Sequence, residues 1–323
     1  MQAVGQSSVN ELGTEKAIVE SLTPLGRRRG FSKWVVTIIC LLPALCLFSL
    51  FVIVPVVQAG YTSLYSWSGF GPLDAFIGLK NYVQLFKDPV FLNAVKTNLT
   101  IVVLSVGLQI PISIFLALLV RQRMPGVTFF RTVFFLPYVL SEVIAAIIWY
   151  FVYEPSTGLL GGVIKAFNPA ATPPAYLADP HTVLIAIFIA MCWKYFGFHL
   201  VLYVAGLQNI PEELSEAARI DGAGRWQVIR YILLPLLGST IRLSVFLSIL
   251  GSLQYFDLIY VISNGGPVHA SETMATYLIH RGFQNNDFGY GTAVGVVMFI
   301  LCFTFALFYQ RLVMRRDIVG TVQ

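Results

Sequence analysis

Charge is scarce in this sequence. Only 11% of its 323 residues are Asp, Glu, Lys or Arg, while 57% are apolar; ordinary soluble domains carry about 25% charged residues. A water-soluble globular fold is excluded on that ground. Cysteine is sparse as well: Cys40, Cys46, Cys192 and Cys302 lie within apolar runs without metal-ligand spacing, so neither a disulfide framework nor a metal site is expected. The histidines, His181, His199, His269 and His280, form no His-Glu-x-x-His pair and accompany no nucleophile pattern, which argues against an intramembrane hydrolase. Nowhere does the chain read Gly-x-x-x-x-Gly-Lys-Ser/Thr, the phosphate cradle of an ATPase. Gly289, Gly291 and Gly295 miss dinucleotide-binding spacing and open an apolar run, where close helix packing accounts for them. No catalytic residue or cofactor is expected in this chain.

Long apolar runs are what the sequence has instead. A helix needs roughly 20 apolar residues to cross a bilayer core about 30 Å thick. Six stretches meet that requirement, at about 34–57, 98–120, 132–153, 182–206, 236–256 and 290–310. A closed barrel would show alternating segments of about ten residues, and none occur. The expected fold class is an all-α integral membrane protein of six transmembrane helices, with a membrane domain at 34–311 between tails at 1–33 and 312–323. Arg27-Arg28-Arg29 imitates the start of a signal peptide, but the run from Trp34 to Val57 far exceeds the roughly 7–15 apolar residues of such a peptide. An uncleaved helix is expected.

Lys and Arg gather on the cytoplasmic side of membrane proteins, and this orients the runs. The N-terminal tail holds Lys16, Arg27, Arg28, Arg29 and Lys33, and the second connection holds Arg121, Arg123 and Arg131. The fourth connection has Arg219, Arg225 and Arg230, and the C-terminal end has Arg311, Arg315 and Arg316. The opposite connections share only Lys80, Lys87, Lys96, Lys165 and Arg281. Both termini and the connection at 211–235 are therefore expected in the cytoplasm. The net charge of +5 reflects topology, because these residues flank runs and form no single basic face for nucleic acid.

Residues 211–235 form a charged, helix-prone insert. Pro211 suits a first helical turn, and Glu212 and Glu213 lie near its positive end. Leu214, Ala217, Ala218 and Ile220 approximate one side of this helix, with Glu213, Glu216 and Arg219 around it. Gly222 is expected to stop it. A second helical stretch, Trp226 to Leu234, leads toward the membrane, with Pro235 at its join. By composition alone such a helix suits either a lipid headgroup surface or a protein partner. Its lettering is specific: Glu216-Ala217-Ala218, three residues, Gly222, nine residues, Ile232-Leu233-Leu234-Pro235. It resembles at every marked position the coupling loop of permease subunits in bacterial ATP-binding-cassette (ABC) importers.

The resemblance extends from about residue 34 to the end. Gly78-Leu79-Lys80-Asn81-Tyr82, Phe134 with Leu136-Pro137, Phe256-Asp257-Leu258-Ile259-Tyr260, Asn264-Gly265-Gly266-Pro267 and Phe288-Gly289-Tyr290-Gly291 are similar to segments of carbohydrate importer permeases of the maltose/trehalose/glycerol-phosphate type. This implies a type I ABC importer permease bundle that is not itself an enzyme. It implies four kinds of partner: a second permease subunit, two cytoplasmic ATPase subunits that bind ATP and Mg, an extracytoplasmic solute-binding protein, and a sugar. By the same resemblance Glu216, Ala217, Ala218 and Gly222 are docking residues, with Asp221 and Gly224 supporting the turn.

A hydroxyl-rich cargo asks for aromatic faces and hydroxyl or amide side chains, since a bare apolar wall would leave its hydroxyls unpaired. Ser248, Ser252 and Tyr255 fall at i, i+4 and i+7 in the fifth run, with Gly251 beside them and Gln254 close by. Met191, Tyr195 and Phe198 repeat that spacing in the fourth. Ser and Gly also mediate helix packing in membranes, so both stripes fit a substrate path and a packed interface alike. Glu142, Lys194 and His199 are ionisable groups within runs, functional candidates by default. Pairing of Lys194 and His199 with carbonyls or with Glu142 would make them structural. Arg242 lies close enough to a run's cytoplasmic end to snorkel, and Asp257 falls at the outer end of its run. The alternative function, an ion-coupled secondary transporter using those three groups as a relay, is disfavoured because no paired repeats or broken helices are evident.

Overall fold

The computed structural model describes residues 31–120 and 127–314. Most of both expected tails, and Arg121, Arg123, Arg315 and Arg316, lie outside the described residues. The chain divides into a unit ending at Val57 and a larger unit beginning at Gln58. Four helices are long and apolar enough to cross a membrane unbroken: α1 (Thr37–Thr62), α2 (Pro89–Val120), α5 (Val183–Gln208) and α9 (Phe288–Met314). Two further spans are bent pairs, α3 (Val127–Val139) with α4 (Glu142–Tyr153), and α7 (Arg225–Leu236) with α8 (Gly238–Leu253). Counting each pair once gives six spans. Between α5 and α7 lies α6 (Glu212–Ile220). Among the described residues no strand occurs, only an isolated bridge between Tyr65 and Phe76.

Local chemistry sets the ends and irregularities. The second helix begins at Pro89, well before the expected residue 98, because Asp88 caps it: its carboxylate accepts the Val90 N–H at 2.8 Å and proline takes the first helical position. Wide π-turns occur at Ser49–Ile53, Ser105–Gln109 and Ile229–Leu233. Each ends two residues before a proline, Pro55, Pro111 and Pro235. A proline lacks the N–H for its ladder bond and its ring crowds the carbonyl four residues back, so the helix opens locally instead of breaking.

The expectation of unbroken spans fails twice. The stretch at 132–153 turns by 99° between α3 and α4, and the stretch at 236–256 is preceded by a 65° turn between α7 and α8. Pro137 lies inside α3 near its end, Ser141 is non-helical, and Glu142 begins α4, where an acidic side chain favours the helix's positive end. Hydropathy remains high across both turns, which is why the sequence conceals them. The argument from absent broken helices therefore falls, although the residues it concerned are otherwise engaged, as described below. The fifth span also stops at Leu253, three residues early. Its last carbonyls, of Ser252 and Leu253, accept from the Asn98 amide at 2.7 and 3.3 Å.

Within the larger unit one apolar cluster fastens the 211–237 segment to the spans. Val228, Leu233 and Leu237 pack with Ile110, Ala117, Leu200, Tyr203 and Leu207, and Ala218 and Ala223 border them. Movement at α6 is thus mechanically linked to α2 and α5.

Candidate functional site

Two stripes chosen from sequence line one cavity. Met191, Tyr195 and Phe198 on α5 and Ser248, Gly251, Ser252 and Tyr255 on and just after α8 all border a space of about 310 Å³, within the range of small-molecule sites. Sequence reasoning missed its remaining wall: Ser105 and Gln109 on α2, Tyr138 on α3, His199, Leu247, Phe256 and Asp257. Ser105 and Gln109 did leave a signal, since they are polar residues four apart in an apolar run. Asp257, expected merely at a span's outer end, starts the short helix Asp257–Ile262 and borders the cavity.

The wall is aromatic and hydroxylated. Tyr138 stacks on Phe198 with ring centroids 5.0 Å apart, and Tyr195 meets Tyr255 edge-on at 6.0 Å. Tyr255 is 8% exposed. Its hydroxyl lies near that of Tyr195 but meets no hydrogen-bond partner of good geometry. A buried hydroxyl in that condition is uncommon in a folded protein.

The ionisable residues within the spans are held internally. The Lys194 ammonium donates to the Leu140 carbonyl at 2.6 Å and lies 3.5 Å from Glu142 Oε1. Glu142 Oε1 also accepts the Tyr195 hydroxyl at 2.5 Å. His199 is engaged elsewhere than Glu142: its Nδ1 is 2.8 Å from Ser244 Oγ, which also receives the Tyr203 hydroxyl at 2.6 Å. No continuous relay runs through these three groups.

At the other site, α6 is built as a short exposed stub. Pro211 stands at the N-cap position, just outside the first turn where it was expected, and supplies no side-chain capping bond. Its end is a Schellman arrangement: the Gly222 N–H donates to Arg219 O at 3.1 Å, the Ala223 N–H to Ala218 O at 2.9 Å, and Gly222 adopts φ +88°. Gly224 then opens α7, its N–H donating to Gln227 Oε1 at 2.7 Å. The side facing the body is Ser215 with half-buried Ala218, whereas Glu216, Ala217, Asp221, Gly222 and Gly224 are exposed. The apolar residues Leu214 and Ile220 also point outward, Ile220 at 85% exposure. An apolar and acidic face turned away from its own bundle is suited to a partner.

On the loop side between α2 and α9, Asp88 Oδ2 accepts the Tyr277 hydroxyl at 2.6 Å and lies 3.5 Å from Arg281. Burial pushes this carboxyl's pKa up; the hydrogen bonds from Tyr277, Val90 and Phe91 and the Arg281 charge outweigh it and hold the group below its ordinary 3.8.

Comparison with known proteins agrees with this arrangement. The family described as "Binding-protein-dependent transport system inner membrane component" matches residues 109–317. A probable ABC transporter permease protein, YurN of Bacillus subtilis, is 37% identical over 276 residues, spanning 84% of this chain and 93% of that protein. The trehalose/maltose transport system permease protein MalF of Thermococcus litoralis is 31% identical, spanning 84% of this chain and 91% of its own. A solved bacterial ABC transporter involved in the import of the acidic polysaccharide alginate superposes with a TM-score of 0.78 at 25% identity, covering 88% of this chain and 96% of that one. This chain belongs to the family of inner membrane components of binding-protein-dependent transport systems, as a membrane-spanning permease subunit of an ABC importer.

Proposed function

We propose that this permease carries a sugar, and that the cavity between α2, α3, α5 and α8 is where the sugar crosses. A second permease subunit would complete the pathway, an extracytoplasmic solute-binding protein would deliver the cargo, and two ATPase subunits holding ATP and Mg would dock on α6. Both termini and α6 would then face the cytoplasm, in accord with the Lys and Arg distribution. The single observation that carries the sugar reading is the cavity wall itself, where stacked aromatic rings alternate with hydroxyl and amide groups and one tyrosine hydroxyl is left open. Relatives named for trehalose/maltose and for lactose transport support the same class.

Coupling follows from the packing. ATP-driven closure of the ATPase pair would push α6 at Glu216, Ala217, Ala218, Asp221, Gly222 and Gly224. The cluster around Val228, Leu233 and Leu237 would pass that displacement to α2 and α5, two walls of the cavity. Alternating access then needs no ion gradient.

The test uses membranes carrying this chain with its ATPase. Glu216→Ala and Gly222→Pro should reduce ATPase co-purification and ATP-dependent uptake, whereas Ser252→Leu should reduce uptake and spare co-purification. Equal co-purification in all variants would reject the docking face; unchanged uptake in Ser252→Leu would reject the cavity.

A further inference from the structure

Lys194 is 2% exposed and aims its ammonium at the break in the third span. Four acceptors lie within reach: the carbonyls of Pro137 and Tyr138, each at 3.4 Å, that of Leu140 at 2.6 Å, and Glu142 Oε1 at 3.5 Å. The Pro137 and Tyr138 carbonyls lie in the last turn of α3 and that of Leu140 just past it; the Pro137 carbonyl also accepts the Leu140 N–H at 3.3 Å, and together they form the helix's negative end. Glu142 stands at the positive end of α4. One cation therefore meets the α3 carbonyls directly and reaches α4 through Glu142, whose carboxylate complements that helix's positive end, where the two helices meet at 99°.

The count of bonds matters. An ammonium has three N–H groups for these four acceptors, two of which have a second donor, the Leu140 N–H on Pro137 and the Tyr195 hydroxyl on Glu142, so its bonds can exchange among them. Both sides of the set also reach the cavity. Tyr138, whose carbonyl Lys194 approaches, has its ring in the cavity wall, and Tyr195, also in that wall, donates to Glu142 Oε1 at 2.5 Å. The second carboxylate oxygen, Glu142 Oε2, is buried without a partner.

We propose that Lys194 is a positioning residue that sets the angle between α3 and α4, and that Glu142 and Tyr195 make this setting respond to what fills the cavity. The response rests on the cavity reading above. A cargo hydroxyl that draws the Tyr195 hydroxyl away leaves Glu142 with one donor fewer. The carboxylate then takes a larger share of the ammonium, the α3 carbonyls lose theirs, and the joint loosens. Cavity occupancy is converted into a change of backbone direction.

The experiment places spin labels at Phe129 and Phe151, exposed positions near the far ends of α3 and α4. It uses a cysteine-free background and the complete importer in lipid vesicles, with pulsed double-resonance distances recorded with and without loaded binding protein. The unsubstituted joint should give one narrow distance that shifts on cargo delivery. Lys194→Met should broaden it in both states and lower the maximal uptake rate about tenfold or more while KM changes little, the pattern of an interaction outside ground-state binding. Glu142→Gln should keep the narrow distance, since Lys194 still holds the carbonyls, and lose the cargo-induced shift. Lys194→Arg, which retains the charge, should keep the narrow distance.

A wild-type width in Lys194→Met, or a wild-type shift in Glu142→Gln, would overturn the proposal. If Lys194→Met does not accumulate in the membrane, the Glu142→Gln shift decides by itself. Ser252→Leu in the same assay separates the two readings: unchanged uptake there refutes the cavity, whereas impaired uptake with a normal Glu142→Gln shift refutes only the Lys194 joint.

Discussion

Gly197 on α5 and Phe134 on α3 meet backbone to backbone: a Cβ on the glycine would stand 1.9 Å from the Phe134 carbonyl oxygen and 3.1 Å from the Phe135 Cα. The obstructing atoms are backbone and cannot swing aside. Small residues permit such contact between helices in membranes, and here it lets α3 lie close enough for Lys194 to reach its last carbonyls. Gly197→Ala should therefore force the two helices apart, at the roughly 1–3 kcal/mol typical of overpacking. Thermal unfolding of the detergent-extracted protein should show a clear fall in Tm. Gly162→Ala, where a Cβ meets nothing within 4 Å inside the helix Leu159–Phe167, should leave it unchanged or slightly raised.

Asn98 is fully buried and makes three bonds, to the carbonyls of Ser252 and Leu253 and from the Met274 N–H at 2.9 Å. It ends α8 at the point where the chain turns into the cavity wall. Asn98→Leu keeps the volume and leaves these backbone groups unpaired, each at about 1–3 kcal/mol. The expected result is a lower Tm together with a raised KM for uptake, because Ser252 and Tyr255 sit at the released end. A normal KM with a lower Tm would mean that the wall holds its shape without this cap.

These cases mark what sequence could and could not disclose. Ser248 and Ser252 were legible as one face because that part of α8 is regular helix, and periodicity specifies the face of a regular helix; Tyr255 lies past the helix end and borders the same cavity although the periodicity stops at Leu253. The end of α6 was legible because Gly222 adopts a positive φ there, as a helix-stopping glycine does. The opposite cavity wall was not legible: Gln109, Tyr138 and Asp257 come from separate elements, and only tertiary packing brings them together. The turn after Val139 was hidden for a different reason. Hydropathy records what surrounds a residue and not where the helix axis points, so Pro137 was its sole local mark. Lys194 showed as a group that must find carbonyls or Glu142; that one ammonium serves both could be seen only with α3 and α4 in place.

Asp88 gives a pH dependence with a definite sign. A carboxyl whose folded pKa lies below its unfolded value adds stability that is complete above about 3.8 and is lost as pH falls through the lower folded value. Asp88→Asn preserves helix capping but removes the charge that faces Arg281 and strengthens the Tyr277 bond. At pH 7 it should lower stability by about 1–2 kcal/mol, the difference between a hydrogen bond to a charged group, about 1.5–3, and a neutral one, about 0.5–1.5. The gap between variant and wild type should stay constant down to about pH 4 and close below it. A gap that instead closes between pH 6 and 7 would assign the effect to a histidine.

Two buried tyrosines separate ligand binding from packing. Tyr203 donates its hydroxyl to Ser244 Oγ at 2.6 Å, in the group that also holds His199. Tyr203→Phe should therefore cost about 0.5–1.5 kcal/mol of stability and leave cargo affinity alone, since Tyr203 does not border the cavity. Tyr255 is the reverse case: its hydroxyl meets no partner of good geometry in the chain, so Tyr255→Phe removes a polar atom that the fold does not use. Thermal stability should be unchanged or slightly higher. Uptake should lose affinity, with a severalfold rise in KM, because the removed hydroxyl is the one open to cargo. A variant that keeps both its Tm and its KM would show that this hydroxyl faces nothing in the transport cycle. The aromatic ring would then be the whole of the Tyr255 contribution to the cavity, through its edge-on contact with Tyr195.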